Sequence, residues 1–449
     1  MPHCNEERVD LKDIEHPQGR RAFVRLMSAS AAGALLSPGF RMFAQATGRQ
    51  ISATEAGAVA DATTLNTQKL QAAIDRLASH HGGTLVIPAG TFLTGALFLK
   101  PGVHLWLDKD AVLKGSTEVA DYPRRQTRVE GHFQVWLPAM INADGCDGLR
   151  IGGQGTLDGS GAPFWQAFWT AIRANHSTTN LDVPRPKLAF LSNSRNVQIS
   201  NITFKDSGFW NLHLYRCQQV LVDNVRFEVP DGVRCPSTDG TDIDSCRHVT
   251  IRGCTYSVDD DCVCLKGSKG PFAMDDHDSP PVEHIRVENC TFLRGGGVAT
   301  LGSEATIVRD LVVENCTVHG TVPVVRLKLR PDTPQLYEDL HYNNITLAGS
   351  PDNPRGPIIE VRPWKQYFDL KGQPPPKSTV RNVTIDGVKG TFGTFGVVQG
   401  NPGQTTLSGF HLENIDVQLS NPRLTVDNGI DVSVKNVTVN GKPFVVERA

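Results

Sequence analysis

One short strand phrase recurs along most of the chain. It consists of alternating apolar residues, then usually an Asn or Gly, then a second apolar alternation. Alternation with a period of two is typical of a β-strand with one buried face, and Asn or Gly suits a bend because both tolerate left-handed backbone. Most copies are spaced at about 22 to 30 residues, the length of one unit in many solenoid proteins, with longer gaps around 266–281 and 351–376. The copies are NVQISNITF from Asn196, QVLVDNVRF from Gln219, HVTIRGCTY from His248, HIRVENCTF from His284, DLVVENCTV from Asp310, DLHYNNITL from Asp339, NVTIDGVKG from Asn382, GFHLENIDV from Gly409 and DVSVKNVTV from Asp431.

A single unit of this length cannot bury its own apolar face, whereas stacked copies can. The repeat therefore predicts an all-β fold, a right-handed parallel β-helix in which a single strand path forms one coil per repeat. A β-sandwich would also contain short alternating strands, but it would need hairpin turns and would not repeat Asn at one phase. Residues 47–449 contain no linker rich in Ser, Gly or Pro, so we predict one β-helix domain across them.

The segment NTQKLQAAIDRLASHHGG, which begins at Asn66, differs from the strand repeat. Leu70, Ala73, Ile74 and Leu77 recur at helical spacing, and a Gly pair follows. This pattern predicts a short N-terminal capping helix that covers the open end of the first coil.

Residues 1–46 have the features of an export signal. Arg20 and Arg21 precede Phe23 and a run of small and apolar residues, and AQA at 44–46 supplies a small-x-small cleavage pattern. The pattern resembles a bacterial twin-arginine signal, which predicts a mature chain that begins near Thr47 and is periplasmic or secreted. A basic disordered tail is the alternative.

The composition excludes some kinds of partner. The 449 residues carry a formal net charge of −2 and no run of about 18 apolar residues, so neither a nucleic-acid surface nor a membrane span is expected. A monomer is the working expectation. Cys254, Cys290 and Cys316 occupy equivalent places in the repeat, which predicts stacked small side chains rather than disulfides, and no Cys/His spacing indicates a zinc site.

The stretch VDDDCVCLK at 258–266 places three aspartates in a row, although adjacent carboxylates repel and are costly to bury. Asp239 lies about one coil before Asp260, so stacking would place both on one wall. Arg326 and Lys328 come from a later coil and are expected to face the same groove. Glycosidic cleavage needs one carboxylic acid and one carboxylate. Clustering raises the pKa of at least one aspartate, so that it keeps a proton.

Several motifs, in order, resemble glycoside hydrolase family 28, the polygalacturonase family of pectin-degrading enzymes. The resemblance covers nearly all of 47–449 and implies a catalytic domain that hydrolyses galacturonate-containing pectin backbone with inversion of configuration, without metal or other cofactor. The motifs are GTLDGSGAPFW from Gly155, FWNLHLYRC from Phe209, STDGTDIDSC from Ser237, DDDCVCLKGS from Asp259, GSE from Gly302 and RLK from Arg326.

The resemblance also implies residue roles. Asp260 is the general acid, and Asp239 and Asp261 position and deprotonate the attacking water. Arg326 and Lys328 hold a substrate carboxylate, while Tyr342 lies beside the site and contacts the substrate.

Some of these assignments have a plainer alternative. Asp239 in STDG could cap a turn, and Arg326 and Lys328 alternate as solvated strand residues would. Asp260 and Asp261 would point to opposite faces of an ideal strand, so both reach one site only if the backbone bends there.

Other residues near these motifs are expected to be structural or are undecided. Asp242 and Asp244 are expected to bond to backbone in a bend, and Trp210 to pack rather than to carry a sugar. His213 is equally consistent with a buried wall residue and a substrate contact. Asp259 stands where the family has Gly and receives no role.

The chain departs from the family pattern in two further ways. Gly296 or Gly297 replaces the histidine of the family's GHG motif, and Ser237 replaces the usual Asn. Both changes resemble members that act on rhamnogalacturonan. The long segments at 266–281 and 330–340, and the segment at 361–372, predict loops that close one end of the groove and impose exo attack.

Two other functions are consistent with a β-helix. A pectate lyase would use calcium, and the aspartates could serve as its ligands. A non-catalytic carbohydrate-binding β-helix would bind without turnover. The order of the motifs favours the hydrolase, with a pectic polysaccharide or oligosaccharide as its partner.

Overall fold

The computed structural model describes residues 48–349 and 356–448, and the predicted export segment lies outside them. In this described part there are two α-helices, α1 (Thr67–Ser79) and α2 (Ala162–Ala174), and 35 strands. The strands are β1 (Gln50–Ser52), β2 (Asp61–Leu65), β3 (Gly83–Ile87), β4 (Gly90–Thr94), β5 (Leu97–Leu99), β6 (Val103–Leu107), β7 (Ala111–Gly115), β8 (Arg125–Val129), β9 (His132–Trp136), β10 (Ile141–Asp144), β11 (Arg150–Gly153), β12 (Thr156–Asp158), β13 (Ala189–Ser192), β14 (Arg195–Ser200), β15 (Thr203–Lys205), β16 (Leu212–Tyr215), β17 (Gln218–Asp223), β18 (Arg226–Glu228), β19 (Thr241–Asp244), β20 (Arg247–Arg252), β21 (Thr255–Ser257), β22 (Val263–Lys266), β23 (Val282–Glu288), β24 (Thr291–Arg294), β25 (Ala299–Leu301), β26 (Ile307–Glu314), β27 (Thr317–His319), β28 (Val325–Leu329), β29 (Leu336–Ala348), β30 (Pro357–Pro363), β31 (Ser378–Val398), β32 (Thr405–Val426), β33 (Val432–Val439), β34 (Lys442–Pro443) and β35 (Glu447–Arg448).

Thirty-three of the described strands form one continuous sheet. A strand usually pairs in parallel with the strand three places further along, so each coil adds one strand to each of three stacks. The predicted right-handed parallel β-helix is thereby confirmed. One stack begins with β5 and β10, and we call its continuation the site stack, which contains β13, β16, β19, β22, β25, β28 and β30.

Equivalent positions of successive coils stack apolar side chains inside the helix. In the ladder given below, each side chain is at most 2% exposed, and burial of such a side chain contributes about 1.5–3 kcal/mol to the free energy of unfolding. One ladder, aligned by strand register, consists of Val197, Val220, Val249, Ile285, Leu311, Leu340, Val383 and Phe410.

The Asn residues of the repeat form the predicted bends. Asn201 and Asn224 have φ values of 57° and 52°, in the left-handed region. They also bond to one another between coils, because the Asn224 amide donates to Oδ1 of Asn201 (2.8 Å). Asn344 donates to Asn315 in the same way (2.6 Å). The repeated Asn therefore both turns the chain and joins neighbouring coils.

Helix α1 is the predicted cap. Its buried face consists of Leu70, Ala73, Ile74 and Leu77. Outside that face, Gln71 accepts from the N–H of Phe98 (2.8 Å) and donates to its carbonyl (3.0 Å), which ties the helix to β5.

Helix α2 and the β8–β9 hairpin were not predicted. The helix has a proline in its first turn and buries Phe164, Trp165 and Phe168, so its sequence carried a usable signal. The hairpin is antiparallel, and its two-residue turn, Glu130–Gly131, has φ values of 44° and 79°. Two successive left-handed residues are typical of a type I′ hairpin turn.

The nine cysteines of the described chain are free and buried. The N–H of Cys254 donates to Sγ of Cys290 (3.4 Å), so these thiols stack between coils as predicted. Neither described helix combines the length and the apolar character that a membrane crossing requires.

Candidate active site

Three aspartates meet at the start of two neighbouring strands of the site stack. Asp239 lies just before β19, and Asp260 and Asp261 lie just before β22. The N–H of Gly240 donates to the carbonyl of Asp261 (2.9 Å), so the two turns are stacked. The three aspartates line one pocket together with Lys328 of β28.

Asp260 and Asp261 reach the same pocket because the backbone bends before β22 begins at Val263. The N–H of Asp261 donates to Oδ1 of Asp260 (3.0 Å). Asp259 is used elsewhere, since its Oδ2 accepts from the N–H of Cys235 (2.7 Å). The neighbouring aspartates therefore have different environments.

Asp261 is surrounded by donors. Lys328 Nζ lies 2.6 Å from Oδ2, while Arg326 Nη1 and the Thr300 hydroxyl donate to Oδ1 at 3.1 and 2.8 Å. Burial opposes the charged form of Asp261, but Lys328 and Arg326 outweigh it and hold its pKa well below the ordinary value. Asp261 is thus an anion throughout the neutral and mildly acidic range.

Asp260 is partly exposed and forms no ion pair within the described residues. Burial and the adjacent negative charge of Asp261 raise its pKa above the ordinary value, against the opposing effect of Lys328 and Arg326. Asp260 can therefore keep a proton while Asp261 cannot. Two carboxyl groups of opposite protonation are the acid and base that glycoside hydrolysis uses.

Asp239 shares one ammonium group with two other carboxylates. Lys266 Nζ lies 3.5 Å from Asp239, 3.4 Å from Asp242 and 3.6 Å from Glu304. It also lies 4.4 Å from the centre of the Trp210 ring. Burial and the charge of Asp242 raise the pKa of Asp239 well above its ordinary value. Burial likewise raises the pKa of Asp242 to about 7, so this cluster can hold protons near neutrality.

Sequence reasoning gave no role to Lys266 or Glu304, although both lie within quoted motifs. The expectation that Asp242 and Asp244 bond to backbone in a bend is wrong. Asp242 lies within β19, and within the described residues its carboxylate accepts no hydrogen bond. Asp244, the last residue of β19, instead forms an ion pair with Arg128.

The Arg128–Asp244 pair lies near the turn of the hairpin, since Arg128 is the next-to-last residue of β8. Nε of Arg128 donates to Asp244 (3.0 Å), and both side chains are 1% exposed. His213 is wholly buried, with Nε2 3.4 Å from Asp244, so it is a wall residue rather than a surface contact. Burial lowers the pKa of His213 to about 3, and nearby Lys187 adds to the effect. Asp244 thus joins the hairpin to strands β16 and β19 of the site stack.

Gly296 leaves room for the contact between Arg326 and Asp261. Nη1 of Arg326 donates both to Asp261 and to the carbonyl of Gly296. A Cβ on Gly296 would lie 2.7 Å from this Nη1 and 2.8 Å from Oδ1 of Asp261. A Cβ on Gly297 would lie 2.4 Å from the Thr300 hydroxyl. A histidine side chain at either position therefore requires the donors of Asp261 to move.

Lys328 and Arg326, both predicted to bind substrate, differ in their position relative to the pocket. Lys328 lines the pocket, 4.9 Å from the centre of the Trp364 ring. Arg326 is not among the described residues that line the pocket, and its Nε is 2.9 Å from Glu360. Its guanidinium is thus held by two protein carboxylates.

The structure does not bring Tyr342 to the pocket. It lies on β29, between Val313 and Ile385 of the neighbouring coils, and is 0% exposed. Its hydroxyl has no hydrogen-bond partner within the described residues. The expectation that Tyr342 contacts substrate is therefore not met, because strand alternation turns this position inward.

Four segments enclose the pocket on its outer side. Glu130, in the hairpin turn, accepts from Lys269 (3.1 Å) and from Asn180 (3.0 Å). The Tyr367 hydroxyl donates to the carbonyl of Thr178 (3.4 Å). The hairpin turn, the 178–180 segment, the 266–281 loop and the 361–372 segment are thus linked around the aspartates.

The 330–340 segment supports this enclosure. Arg330 is 2% exposed, pairs with Asp332 and donates to the carbonyls of Gln366 and Tyr367 (3.0 and 3.1 Å). It therefore holds the 361–372 segment in place. Trp364, in that segment, lines the pocket with its ring partly exposed.

The donor set does not fit a divalent cation. One ligand atom each of Asp239, Asp261 and Cys264 lie within 4.8 Å of one another. Lys328 already neutralises Asp261 at 2.6 Å, and Lys266 lies 3.5 Å from Asp239. A calcium ion would have to displace or approach these fixed ammonium groups.

The coil architecture and the unequal carboxyl groups define a class, that of β-helical proteins with an acid–base pair for glycoside hydrolysis. The chain belongs to the glycosyl hydrolases family 28, whose model matches residues 79–440. The family resemblance of the sequence motifs is thereby confirmed.

The chain is similar to several known members. A probable polygalacturonase of Vitis vinifera is 28% identical over 310 residues, which cover 66% of this chain and 60% of that protein. A polygalacturonase of Medicago sativa is 27% identical, covering 83% of this chain and 80% of that protein. An exopolygalacturonase of Zea mays is 26% identical, covering 80% of each. In fold, the chain is similar to an exopolygalacturonase of Thermotoga maritima (TM-score 0.68, 21% identity, covering 88% of this chain and 93% of that one).

Proposed function

We propose that this chain is an inverting glycoside hydrolase that cleaves galacturonate-containing pectin backbone. The observation that carries the proposal is the contrast between Asp260, whose pKa is raised, and the adjacent Asp261, whose pKa is lowered. The family membership and the polygalacturonase names of the relatives support the same activity.

In the proposed reaction, Asp260 gives its proton to the glycosidic oxygen as the bond to the anomeric carbon breaks. Asp261, with Asp239, orients a water on the opposite face of the sugar and takes its proton as the new bond forms. Lys328 keeps Asp261 ionised and presents its charge to the pocket, where a uronate carboxylate can bind. No metal is needed for these steps.

The enclosure of the pocket supports attack at a chain end. The contact between Glu130 and Lys269 places the hairpin turn against the loop that follows β22, across the line of the site stack. A polymer cannot pass along the wall at this point without separating the two segments. We therefore propose exo action on the terminal sugar.

The activity is tested by incubating the protein with polygalacturonate and with rhamnogalacturonan side by side. Hydrolysis releases reducing ends without the ultraviolet absorbance of an unsaturated product, and proton NMR of the first product reports inversion. The Asp260→Asn variant should lose at least about 100-fold in kcat. Asp259→Asn is the matched control, because Asp259 faces away from the pocket and should keep near-full turnover. Chelator-sensitive absorbance, or turnover by Asp260→Asn at the unaltered rate, contradicts the proposal.

Exo action is tested by separating the products by size. The unaltered protein should release mainly one short product from the start of the reaction. Replacing the hairpin turn and its flanking residues by a shorter turn should open the pocket and yield mixed oligomers. Mixed oligomers from the unaltered protein would overturn exo action while leaving hydrolysis intact.

We also propose that residues 1–46 direct export by the twin-arginine route, and that 47–449 is the mature, monomeric catalytic domain. The Arg20–Arg21 pair and the small residues before Thr47 support this. Replacement of both arginines by lysine should retain the unprocessed protein in the cytoplasm of a bacterial host. Unchanged export would contradict the proposal, and light scattering of the purified domain tests the monomer.

A further inference from the structure

Two clefts outside the catalytic pocket meet at Asn193. One has a volume of about 650 Å³ and is lined by residues of β5, β10, β13 and the hairpin. The other has a volume of about 400 Å³ and is lined by residues at the starts of β14, β17, β20 and β23. Asn193 lines both, so they form one continuous surface, which we call the outer cleft.

The outer cleft contains arginines without partners. Arg195 and Arg247 are exposed, and within the described residues neither guanidinium forms an ion pair or a hydrogen bond. Both are in register with Gln218, which lies on the coil between them, so they stand two coils apart, roughly 10 Å. Arg216, on the coil between them, pairs with exposed Asp278 (2.9 Å).

Two carboxylates also line the cleft, Asp144 and Glu283, and Glu283 lies 3.6 Å from Arg309. The lining lysine and arginines outnumber them, and an excess of positive charge in a concave surface attracts anions.

The other half of the outer cleft contains aromatic rings. Phe133 of the hairpin is 43% exposed and packs edge-on against Tyr215 (5.4 Å between ring centres). The guanidinium of Arg125 lies 4.0 Å from the centre of the Phe98 ring. Aromatic faces beside arginines suit sugar rings that carry carboxylates, because the rings pack on the apolar faces and arginine binds carboxylate as a fork.

The hairpin separates the outer cleft from the catalytic pocket. Its strands contribute Arg125 and Phe133 to the cleft, while its turn contributes Glu130 to the pocket. Among the described residues, none lines both the pocket and either cleft. An occupant of the cleft therefore need not enter the pocket.

We propose that the outer cleft is a second binding site, for a segment of anionic polysaccharide. The identity of the polymer rests on the proposed function, since the substrate is polyuronate. Such a site retains the enzyme on the polymer while a chain end is processed in the pocket, and arginine spacing together with the aromatic surface selects uronate chains over other polyanions.

The test compares Arg195→Ala/Arg247→Ala with the control Arg226→Ala/Arg252→Ala, which removes the same charge from two partly exposed ion pairs that do not line the cleft. Binding of a purified galacturonate decamer is measured by calorimetry in an Asp260→Asn background. We expect at least about 10-fold weaker binding by the cleft variant only. Hydrolysis of a galacturonate trimer by the otherwise unaltered enzyme should be equal in both variants.

Equal decamer affinity in the cleft and control variants would overturn the site. Phe133→Ala should weaken decamer binding but not binding of dextran sulfate, whereas equal loss of both ligands would overturn the selectivity for a saccharide. Failure of the proposed function has a different signature: the unaltered enzyme then releases no product from any uronate substrate, while the binding measurements still decide the site.

Discussion

The ammonium group of Lys328 lies 2.6 Å from Oδ2 of Asp261, and neither Lys328 nor any other described cation contacts Asp260 as closely. This one contact makes two adjacent aspartates chemically different. The difference depends on β28 lying two coils beyond β22 in the site stack, with the glycines of 295–297 leaving space for the donors.

Replacing Lys328 by methionine should move the acid limb of the pH–activity profile toward neutrality. Lysine lowers the pKa of Asp261, so the anion that the reaction needs persists at low pH; without it the pKa rises and the anion is lost earlier. We expect kcat to fall at least about 100-fold at pH 5 and less at higher pH. Lys205→Met, which removes a 43% exposed lysine, is the control and should leave the profile unchanged. A uniform loss at every pH would contradict the prediction.

Gly296→Ala should also damage the site. The added Cβ would lie 2.7 Å from Arg326 Nη1 and 2.8 Å from Asp261 Oδ1, so the arginine must move off the carboxylate. We expect a fall in kcat of about 10-fold or more, with the free energy of unfolding changed less than activity. Gly48→Ala, which meets no atom within 4 Å, is the comparison. Full activity in Gly296→Ala would show that the contact is dispensable.

The Arg128–Asp244 pair should contribute far more to stability than an exposed pair of similar geometry. Arg128→Met leaves Asp244 charged and buried, which costs about 3–5 kcal/mol. Arg252→Met removes a pair of 2.9 Å to Asp223 in which both side chains are partly exposed, and should cost less than about 1 kcal/mol. Urea midpoints at neutral pH measure both values. If both variants lost similar amounts of unfolding free energy, the prediction that burial makes the Arg128–Asp244 pair more important would be wrong.

His213 should make the protein less stable in acid. Its pKa is about 3 when folded and about 6.5 when unfolded, so between these values only the unfolded state binds the proton. The contribution of His213 to the free energy of unfolding is fully present above pH 6.5. It falls by about 1.4 kcal/mol for each pH unit below that value. In His213→Gln this part of the slope should disappear between pH 6 and 4, whereas exposed His176→Gln should retain it. Parallel stability curves for wild type and His213→Gln would refute the assignment.

Tyr342→Phe should leave kcat and KM unchanged. The hydroxyl is buried without a hydrogen-bond partner in the described structure, so its removal should leave stability equal or raise it by up to about 1–3 kcal/mol. Trp364→Ala is the contrasting variant, because Trp364 lines the pocket and its loss should raise KM. A large fall in kcat for Tyr342→Phe would restore the role that the resemblance implied.

The acidic and cationic residues of the site were accessible from the sequence only as candidates. Asp239, Asp260 and Lys328 line the pocket, whereas Tyr342 lies in the core. A shift of one position along a strand reverses the face of a side chain, and motif spacing does not resolve such a shift. Lys266 was missed because its partners, Asp239 and Glu304, are contributed by neighbouring turns.

The repeated strand phrase by itself determined the coil, since alternating apolar residues and a recurrent Asn are local properties that every copy shares. The tertiary structure alone decided which carboxyl group keeps a proton, because pKa values depend on burial and on charges contributed by distant strands. It also decided that the Glu130–Gly131 turn, more than 100 residues before Lys269 in the chain, encloses the pocket. Contacts of that kind arise from stacking and docking, and no local pattern in the chain encodes them.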